Sequence, residues 1–201
     1  MKIQAVLFDL DGVLIESKQV WFALLNAAAR HFRAPPVTQE IIEKIWGSSV
    51  GTDAEILFPG ISVEQIADYY NEHFLDHVAE ITVNPDAANV LQHLTGAGLR
   101  HAVVTNTPQP AAWKILRHAG LNPELVVGGT DVPRPKPAPD MLLHALKELE
   151  MDAGAAVMVG DTSYDREAAT AAGVRFAGYG TEGEITLERL NDLLPLVGVK
   201  G

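Results

Sequence analysis

The chain has 201 residues, 47% of them hydrophobic and 20% charged, which is typical of one globular domain or of a core with a modest insertion. The sequence contains no cysteine, which excludes disulfides, zinc–thiolate sites and thiol catalysis. The formal net charge of -11 argues against nucleic acid as a partner, because proteins that bind it usually carry a basic face. An anionic substrate would need local cations or a bound metal ion to overcome this field.

The N-terminal region does not look like an export signal. The apolar run at residues 5–8 is short, and Asp9 interrupts it. A signal peptide needs a longer apolar stretch, and no later segment approaches the length of a membrane span. We therefore expect a cytoplasmic protein without a membrane partner.

Short apolar runs rich in β-branched residues predict buried strands. They lack strict alternation, as expected for a parallel sheet whose two faces are both covered. Four runs are clear and a fifth is a candidate: residues 3–8, 101–105, 125–127, 155–159 and, fifth, 174–177. Predicted helices separate the later runs, and glycines end these helices. The alternation of strand and helix predicts an α/β fold with a doubly wound, Rossmann-like parallel sheet.

The helix that precedes the second run has a clear start signal. Asn84-Pro85-Asp86 offers a cap residue, a proline at the first helical position and an early acid. We therefore expect this helix to begin at Pro85.

Residues 17–82 interrupt the alternation, because they contain helical patterns and no convincing strand. Trp21, Leu24 and Phe32 recur at helical spacing, and Ser62 begins a capping box. We predict a small helical cap domain at 17–82, inserted into a catalytic core made of residues 1–16 and 83–201. The aromatic residues of the cap are expected to form its own core, and the cap to act as a lid hinged at both of its ends.

Two acids follow the first predicted strand. Asp9 and Asp11 are two residues apart, so both side chains can point into the crevice beyond the strand ends, where open α/β sheets bind ligands. Gly12 then allows a sharp turn. An isolated Asp-x-Asp pair is more often only the start of a loop, so further signals are needed.

Three further signals lie near the carboxyl ends of other predicted strands. Thr105 and Asn106 follow the second strand, and Lys136 stands among three prolines that stiffen its backbone. Asp161 and Asp165 lie just past a later strand. Each signal is weak alone, but all four in this order make a specific constellation.

This constellation resembles the haloacid dehalogenase superfamily of phosphatases over essentially the whole chain. Within it, the chain is similar to the phosphoglycolate phosphatase-like group with a helical cap. The motifs that carry the resemblance are residues 8–13, 102–106, 128–137 and 160–161.

The resemblance implies a role for each residue of the constellation. Asp9 is the nucleophile that becomes an aspartyl-phosphate, and Asp11 is the general acid and base. Thr105, Asn106 and Lys136 bind the phosphate of a small phosphomonoester.

The resemblance also implies a magnesium ion (Mg²⁺) as cofactor. Its ligands are Asp9, Asp161 and the backbone carbonyl of Asp11, while Asp165 supports the metal site. The physical chemistry agrees, because a hard cation with oxygen ligands and one lysine offset the repulsion between a carboxylate and a phosphate dianion.

Several alternatives stay open. Val13, Glu16-Ser17 and Pro85-Asp86 depart from the group's common pattern, and a valine at the first of these positions is also familiar in sugar phosphomutases. A phosphomutase, an isomerase, is therefore the second candidate, and a non-catalytic binding protein is a weaker third. The identity of the leaving group and the oligomeric state are left open.

Other patterns carry less weight. Residues 178–183 match the dinucleotide fingerprint as a string, but no strand and ribose-binding acid follow them. His73 and His77 have metal-pair spacing without an evident third ligand. Asp131 and Arg134 could line the site or be solvated. The loop at residues 46–52 is the best candidate for a cap segment that faces the substrate.

Overall fold

The computed structural model describes residues 2–199, without the side chains of residues 79 and 80. A six-stranded sheet runs in the order β5-β4-β1-β6-β7-β8, and neighbouring strands in it are parallel. The strands are β1 (Ala5–Phe8), β2 (Ile15–Glu16), β3 (Thr82–Val83), β4 (Arg100–Thr105), β5 (Leu125–Gly128), β6 (Ala156–Gly160), β7 (Arg175–Tyr179) and β8 (Ile185–Leu187).

Helices follow most strands of the sheet or belong to the insertion. They are α1 (Lys18–Phe32), α2 (Gln39–Ile45), α3 (Val50–Ile56), α4 (Val63–His73), α5 (Ala87–Gly96), α6 (Gln109–His118), α7 (Asp140–Glu148), α8 (Ser163–Ala172) and α9 (Leu193–Leu196). A 3₁₀-helix, Phe74–Glu80, closes the insertion. The predicted fold class, a doubly wound α/β sheet with an inserted set of helices, is confirmed.

Strand β1 lies in the middle of the sheet, between β4 and β6. Its side chains are fully buried and alternate between two hydrophobic clusters, with Val6 and Phe8 in one and Ala5 and Leu7 in the other. Helices therefore cover both faces of the sheet, which is the reason that the strand sequences show no alternation. The two helix layers leave the carboxyl ends of the strands as the open edge.

The start of α5 differs from the prediction. The helix begins at Ala87, and Asp86 stands at its N-cap position. Asp86 instead accepts hydrogen bonds from Arg189 and Asn191, which lie about a hundred positions later in the chain. These distant partners hold Asp86 in a turn, and local capping signals could not reveal them. The expectation that no strand follows residues 178–183 is wrong, because β8 pairs with β7 there, and helix α7 was also not predicted.

The insertion joins the core through a two-stranded antiparallel ribbon formed by β2 and β3. Inside the insertion, Trp21 packs edge-on against Tyr70 and Phe74, with ring centroids 5.4 and 5.1 Å apart. The predicted capping box at Ser62 is present at the start of α4. The ribbon lies where the cap boundaries were predicted, and those boundaries remain a prediction.

In the part of the chain that the structure describes, no helix combines the length and the apolar character needed to cross a bilayer.

Candidate active site

A buried ion-pair network lies at the carboxyl ends of the central strands. Asp9, directly after β1, is 2.9 Å from the Lys136 ammonium, which is also 2.6 Å from Asp165 Oδ1. All three side chains are almost completely buried. The predicted residues of the first, third and fourth motifs are thus brought together at one point.

The loop around Lys136 is held in place from two sides. The Asn106 side chain accepts a hydrogen bond from the Lys136 backbone N–H and donates one to its carbonyl, each at 3.0 Å. The ammonium also donates to the Val104 carbonyl at 2.9 Å. Burial by itself lowers the pKa of Lys136, but Asp165 and Asp9 outweigh burial and raise that pKa above its usual range. The lysine therefore stays a cation.

Asp9, Asp161 and Asp165 form a cluster in which one potential ligand atom from each lies within 4.8 Å of the others. Burial raises the pKa of Asp161 to about 7, with the charge of Asp165 as the second cause. Burial also raises the pKa of Asp9 well above its usual range, and Lys136 opposes that shift. Crowded carboxylates of this kind stay ionised more easily when a cation lies among them.

The donor set fits a hard divalent cation. Asp161 Oδ1 is buried and has no hydrogen-bond partner among the described residues, so it is available as a ligand. Gly12 adopts φ +87, and a Cβ at this position would overlap the Asp161 carboxylate. The turn after β1 therefore approaches Asp161 closely because it contains glycine. Oxygen ligands in this number suit magnesium, which keeps several waters.

Asp165 is occupied by protein partners at both oxygens. Oδ1 contacts the Lys136 ammonium, and Oδ2 accepts hydrogen bonds from the Thr162 hydroxyl at 2.6 Å and the Thr162 N–H at 3.1 Å. Asp165 is fully buried as part of the capping box of α8. It is thus placed to orient Lys136 and the loop of Asp161.

Asp11 is surrounded by hydrogen-bond donors. Trp21 Nε1 and the Thr107 hydroxyl donate to its two oxygens, each at 2.8 Å, and the Ser17 hydroxyl also donates to Oδ1. Two of these donors, Ser17 and Trp21, come from the insertion. The packing of the insertion against the core therefore contributes to the environment of Asp11.

A small cavity of about 60 Å³ separates the insertion from the core, and Asp9, Asp11, Thr105 and Asn106 line it. The Asn106 amide donates to the Gly47 carbonyl at 2.8 Å, and Trp46 Nε1 lies 3.4 Å from Asp161 Oδ2. The loop predicted to face the substrate therefore does line this cavity.

Some site residues were missed by sequence reasoning or placed wrongly. Thr107 contacts Asp11, and its only signal was its place two residues after a strand. The cap aromatics do form the cap's own core, as expected, and Trp21 and Tyr70 line the cavity in addition. Asp131 bonds to the Gly128 N–H and Arg134 pairs with Asp140, and neither lines the cavity.

A buried lysine paired with two acids, beside a carboxylate cluster that could hold a metal ion at the carboxyl edge of a doubly wound sheet, is an arrangement typical of a hydrolase site. The family model of haloacid dehalogenase-like hydrolases matches residues 6–179. The chain therefore belongs to this family, and the predicted membership is confirmed.

Two curated relatives match most of the chain. The phosphoglycolate phosphatase of Neisseria meningitidis is 31% identical, over 88% of this chain and 80% of that protein. The pyrophosphatase PpaX of Bacillus pumilus is 29% identical, over 98% of this chain and 97% of that protein. The names of both relatives agree with the predicted enzyme class, a phosphatase.

Solved structures share the fold. β-Phosphoglucomutase from Clostridium difficile superposes with a TM-score of 0.81, covering 95% of this chain and 93% of that one, at 18% sequence identity. At this identity the likeness shows the fold alone.

Proposed function

We propose that the chain is a magnesium-dependent phosphatase that hydrolyses a small phosphomonoester through an aspartyl-phosphate on Asp9. The observation that carries the proposal is the buried Asp9–Lys136–Asp165 network beside the unpartnered Asp161 oxygen. The site contains four acids and one lysine, so a metal ion would offset part of its excess negative charge.

Asp9 is prepared for attack by its contacts. The Leu10 N–H donates to Asp9 Oδ1 at 2.8 Å, and the Lys136 ammonium contacts the same oxygen. These contacts fix the carboxylate, while its second oxygen has no such partner among the described residues. In the first step Asp9 attacks phosphorus, the ester P–O bond breaks, and the alkoxide leaves as an alcohol.

Asp11 supplies and removes the proton. It lines the same cavity as Asp9, and its donors hold the carboxyl in one orientation. In the protonated form it gives its proton to the leaving alcohol. In the second step it takes a proton from the attacking water, the Asp9–phosphorus bond breaks, and inorganic phosphate leaves.

Thr105, Asn106 and Lys136 would bind the phosphate, and the burial of all three limits competing water. Asp9, Asp161 and the Asp11 backbone carbonyl would hold the magnesium ion, with Asp165 in support. When bound, the ion neutralises charge on the phosphoryl oxygens. The names of the relatives support the phosphatase activity itself.

Phosphate release tests the proposal. We expect purified protein to release inorganic phosphate from p-nitrophenyl phosphate with magnesium, to lose this activity in excess chelator, and to recover it when magnesium is returned. Calcium should substitute poorly, because its larger and less regular coordination displaces the reacting groups. Full turnover in excess chelator would refute the role of the metal.

The same assay separates the phosphomutase alternative. A mutase returns the phosphoryl group to a bound sugar, so it should isomerise a sugar phosphate in the presence of a bisphosphate activator and release little phosphate. Steady phosphate release without an activator would exclude this alternative.

A further inference from the structure

The cavity beneath the insertion contains a buried acid that the proposed chemistry does not use. Asp53, in α3, is 7% exposed and lines the same cavity as Asp9 and Asp11. Buried carboxylates usually pair with a cation. Among the described residues, the partners of Asp53 are instead two hydroxyls, Tyr70 at 2.9 Å and Ser48 at 3.4 Å. An ionised carboxylate can accept about four hydrogen bonds, so acceptor capacity remains.

The cavity offers no cation to an anionic leaving group. Across residues 2–199, no lysine, arginine or histidine lines it, and Lys136 is already paired with two acids. A wider cleft beside α3 and α4 is lined by Glu64 and Asp68 and, in the described chain, by no basic residue either. The Lys114 ammonium donates to the backbone carbonyl of Asn71, a residue that lines that cleft.

The remaining walls are apolar or aromatic, and the space is small. Trp21, Trp46 and Ile42 face it, and its volume is about 60 Å³. Among the described residues, the walls of this cavity therefore give a leaving group apolar contacts but no cation.

We propose that Asp53 is a specificity-determining residue, and that the substrate is a phosphomonoester whose leaving alcohol carries no anionic group and presents an O–H or N–H donor to Asp53. The proposal rests on the phosphatase function above and deepens it. It separates this chain from relatives named for phosphoglycolate and pyrophosphate, because the leaving groups of those compounds carry negative charge.

The charge state of Asp53 supports this assignment. Burial raises the pKa of Asp53 to about 6, while the hydrogen bonds from Tyr70 and Ser48 oppose the shift. The ionised form still exceeds the neutral form by about ten to one at pH 7. A carboxylate on the substrate about 5 Å from Asp53 would bind roughly 10²-fold more weakly at an effective dielectric constant of 20. A donor on the substrate would instead use the acceptor capacity of Asp53 that its two hydroxyl partners leave.

A substrate panel tests the proposal. The probes are phosphoethanolamine and glycerol 3-phosphate, against 2-phosphoglycolate and inorganic pyrophosphate, each expressed relative to p-nitrophenyl phosphate in the same preparation. We expect kcat/KM for at least one of the first pair to exceed both of the second pair by roughly 10²-fold. In Asp53→Asn this ratio should fall by about 10-fold or more, because the charge is lost.

Glu55→Gln is the matched control, since it removes the same charge from an exposed residue of the same helix. It should leave the ratio unchanged. Equal or faster turnover of 2-phosphoglycolate or pyrophosphate by the wild-type enzyme overturns the proposal, whether or not Asp53→Asn folds. An unchanged ratio in folded Asp53→Asn overturns it as well. Absence of phosphate release from every compound, p-nitrophenyl phosphate included, would instead contradict the phosphatase function itself.

Discussion

The buried acids on the two sides of the cavity have different partners. On the core side, Asp9 and Asp165 share the Lys136 ammonium, and Asp161 Oδ1 is open to a metal ion. On the cap side, Asp53 has only two hydroxyl partners. The core thus pairs two acids with one buried ammonium, whereas the cap leaves Asp53 without a cation among the described residues, and in our proposal the substrate pairs with it.

In our proposal, the core side carries out the reaction and the cap side selects the substrate. On the core side, Asp9 and Asp161 directly follow strands β1 and β6, whose positions are fixed by the sheet. Residues on the cap side come from α3 and α4, which reach the core through the ribbon of β2 and β3. Substitutions in the core should therefore change the rate for every substrate, and substitutions in the cap should change selectivity or stability.

The largest effect is expected for Asp9→Asn. The amide has nearly the same shape but is a poor nucleophile, so phosphate release should fall by more than about 10⁴-fold for every substrate. Circular dichroism should show an intact fold. Beryllium fluoride should form an adduct on Asp9 of the wild-type protein, and an adduct on another residue would contradict the proposed nucleophile. Asp152→Asn, an exposed acid, is the control.

Asp11→Asn should have a smaller effect. Loss of acid–base catalysis slows phosphoryl transfer by roughly 10²–10⁴-fold. Magnesium affinity, measured by calorimetry, should be unchanged, because the proposed ligand at this residue is the backbone carbonyl. Activity equal to that of the wild type would remove Asp11 from the mechanism.

Asp53→Asn should stabilise the protein, which sharpens the contrast between the two sides. The folded state raises the pKa of Asp53 from its ordinary value of 3.8 to about 6, so the folded protein binds the proton more tightly than the unfolded chain. Stability due to this residue therefore falls as pH rises from about 4 to about 6, and the penalty is complete above that window.

Removing the charge should relieve this penalty. We expect Asp53→Asn to raise the free energy of unfolding by about 1–3 kcal/mol at pH 8 and by little at pH 4. Urea unfolding of both proteins at the two pH values measures the difference. An equal effect at both pH values would mean that packing, and not the charge, is responsible.

The smallest effect is expected where the cap touches the core. Trp46→Phe keeps an aromatic ring but removes the N–H that lies 3.4 Å from Asp161 Oδ2. A contact this long is weak, so KM should rise by roughly 2- to 5-fold with kcat nearly unchanged. Trp113→Phe, a half-buried tryptophan of α6, should leave both constants unchanged. A large fall in kcat would place Trp46 in the chemistry rather than in closure of the cap.

Much of the core was predictable from sequence, because its signals are local. Apolar runs identify most strands, and the polar residues that follow them must meet at one edge of a parallel sheet. Asp9, Lys136 and Asp161 were expected to lie close together for this reason. The same reasoning missed β8, whose three residues are too short to give a pattern. The start of α5 was misplaced because the partners of Asp86 lie far away in sequence.

The tertiary structure decided which side chains of the insertion face the site. Helical spacing predicts that Trp21 and Tyr70 are buried, but it cannot tell whether they are buried inside the cap or against the core.

Asp53 gave no signal at all, since one acid in a short helix is ordinary in a sequence. Its importance depends on burial and on the absence of basic residues around the cavity within the described chain. Both properties depend on how segments that are distant in sequence pack together. The sequence by itself thus determined the fold class and the proposed chemistry, whereas only the packing of the cap on the core determined the surroundings of the leaving group.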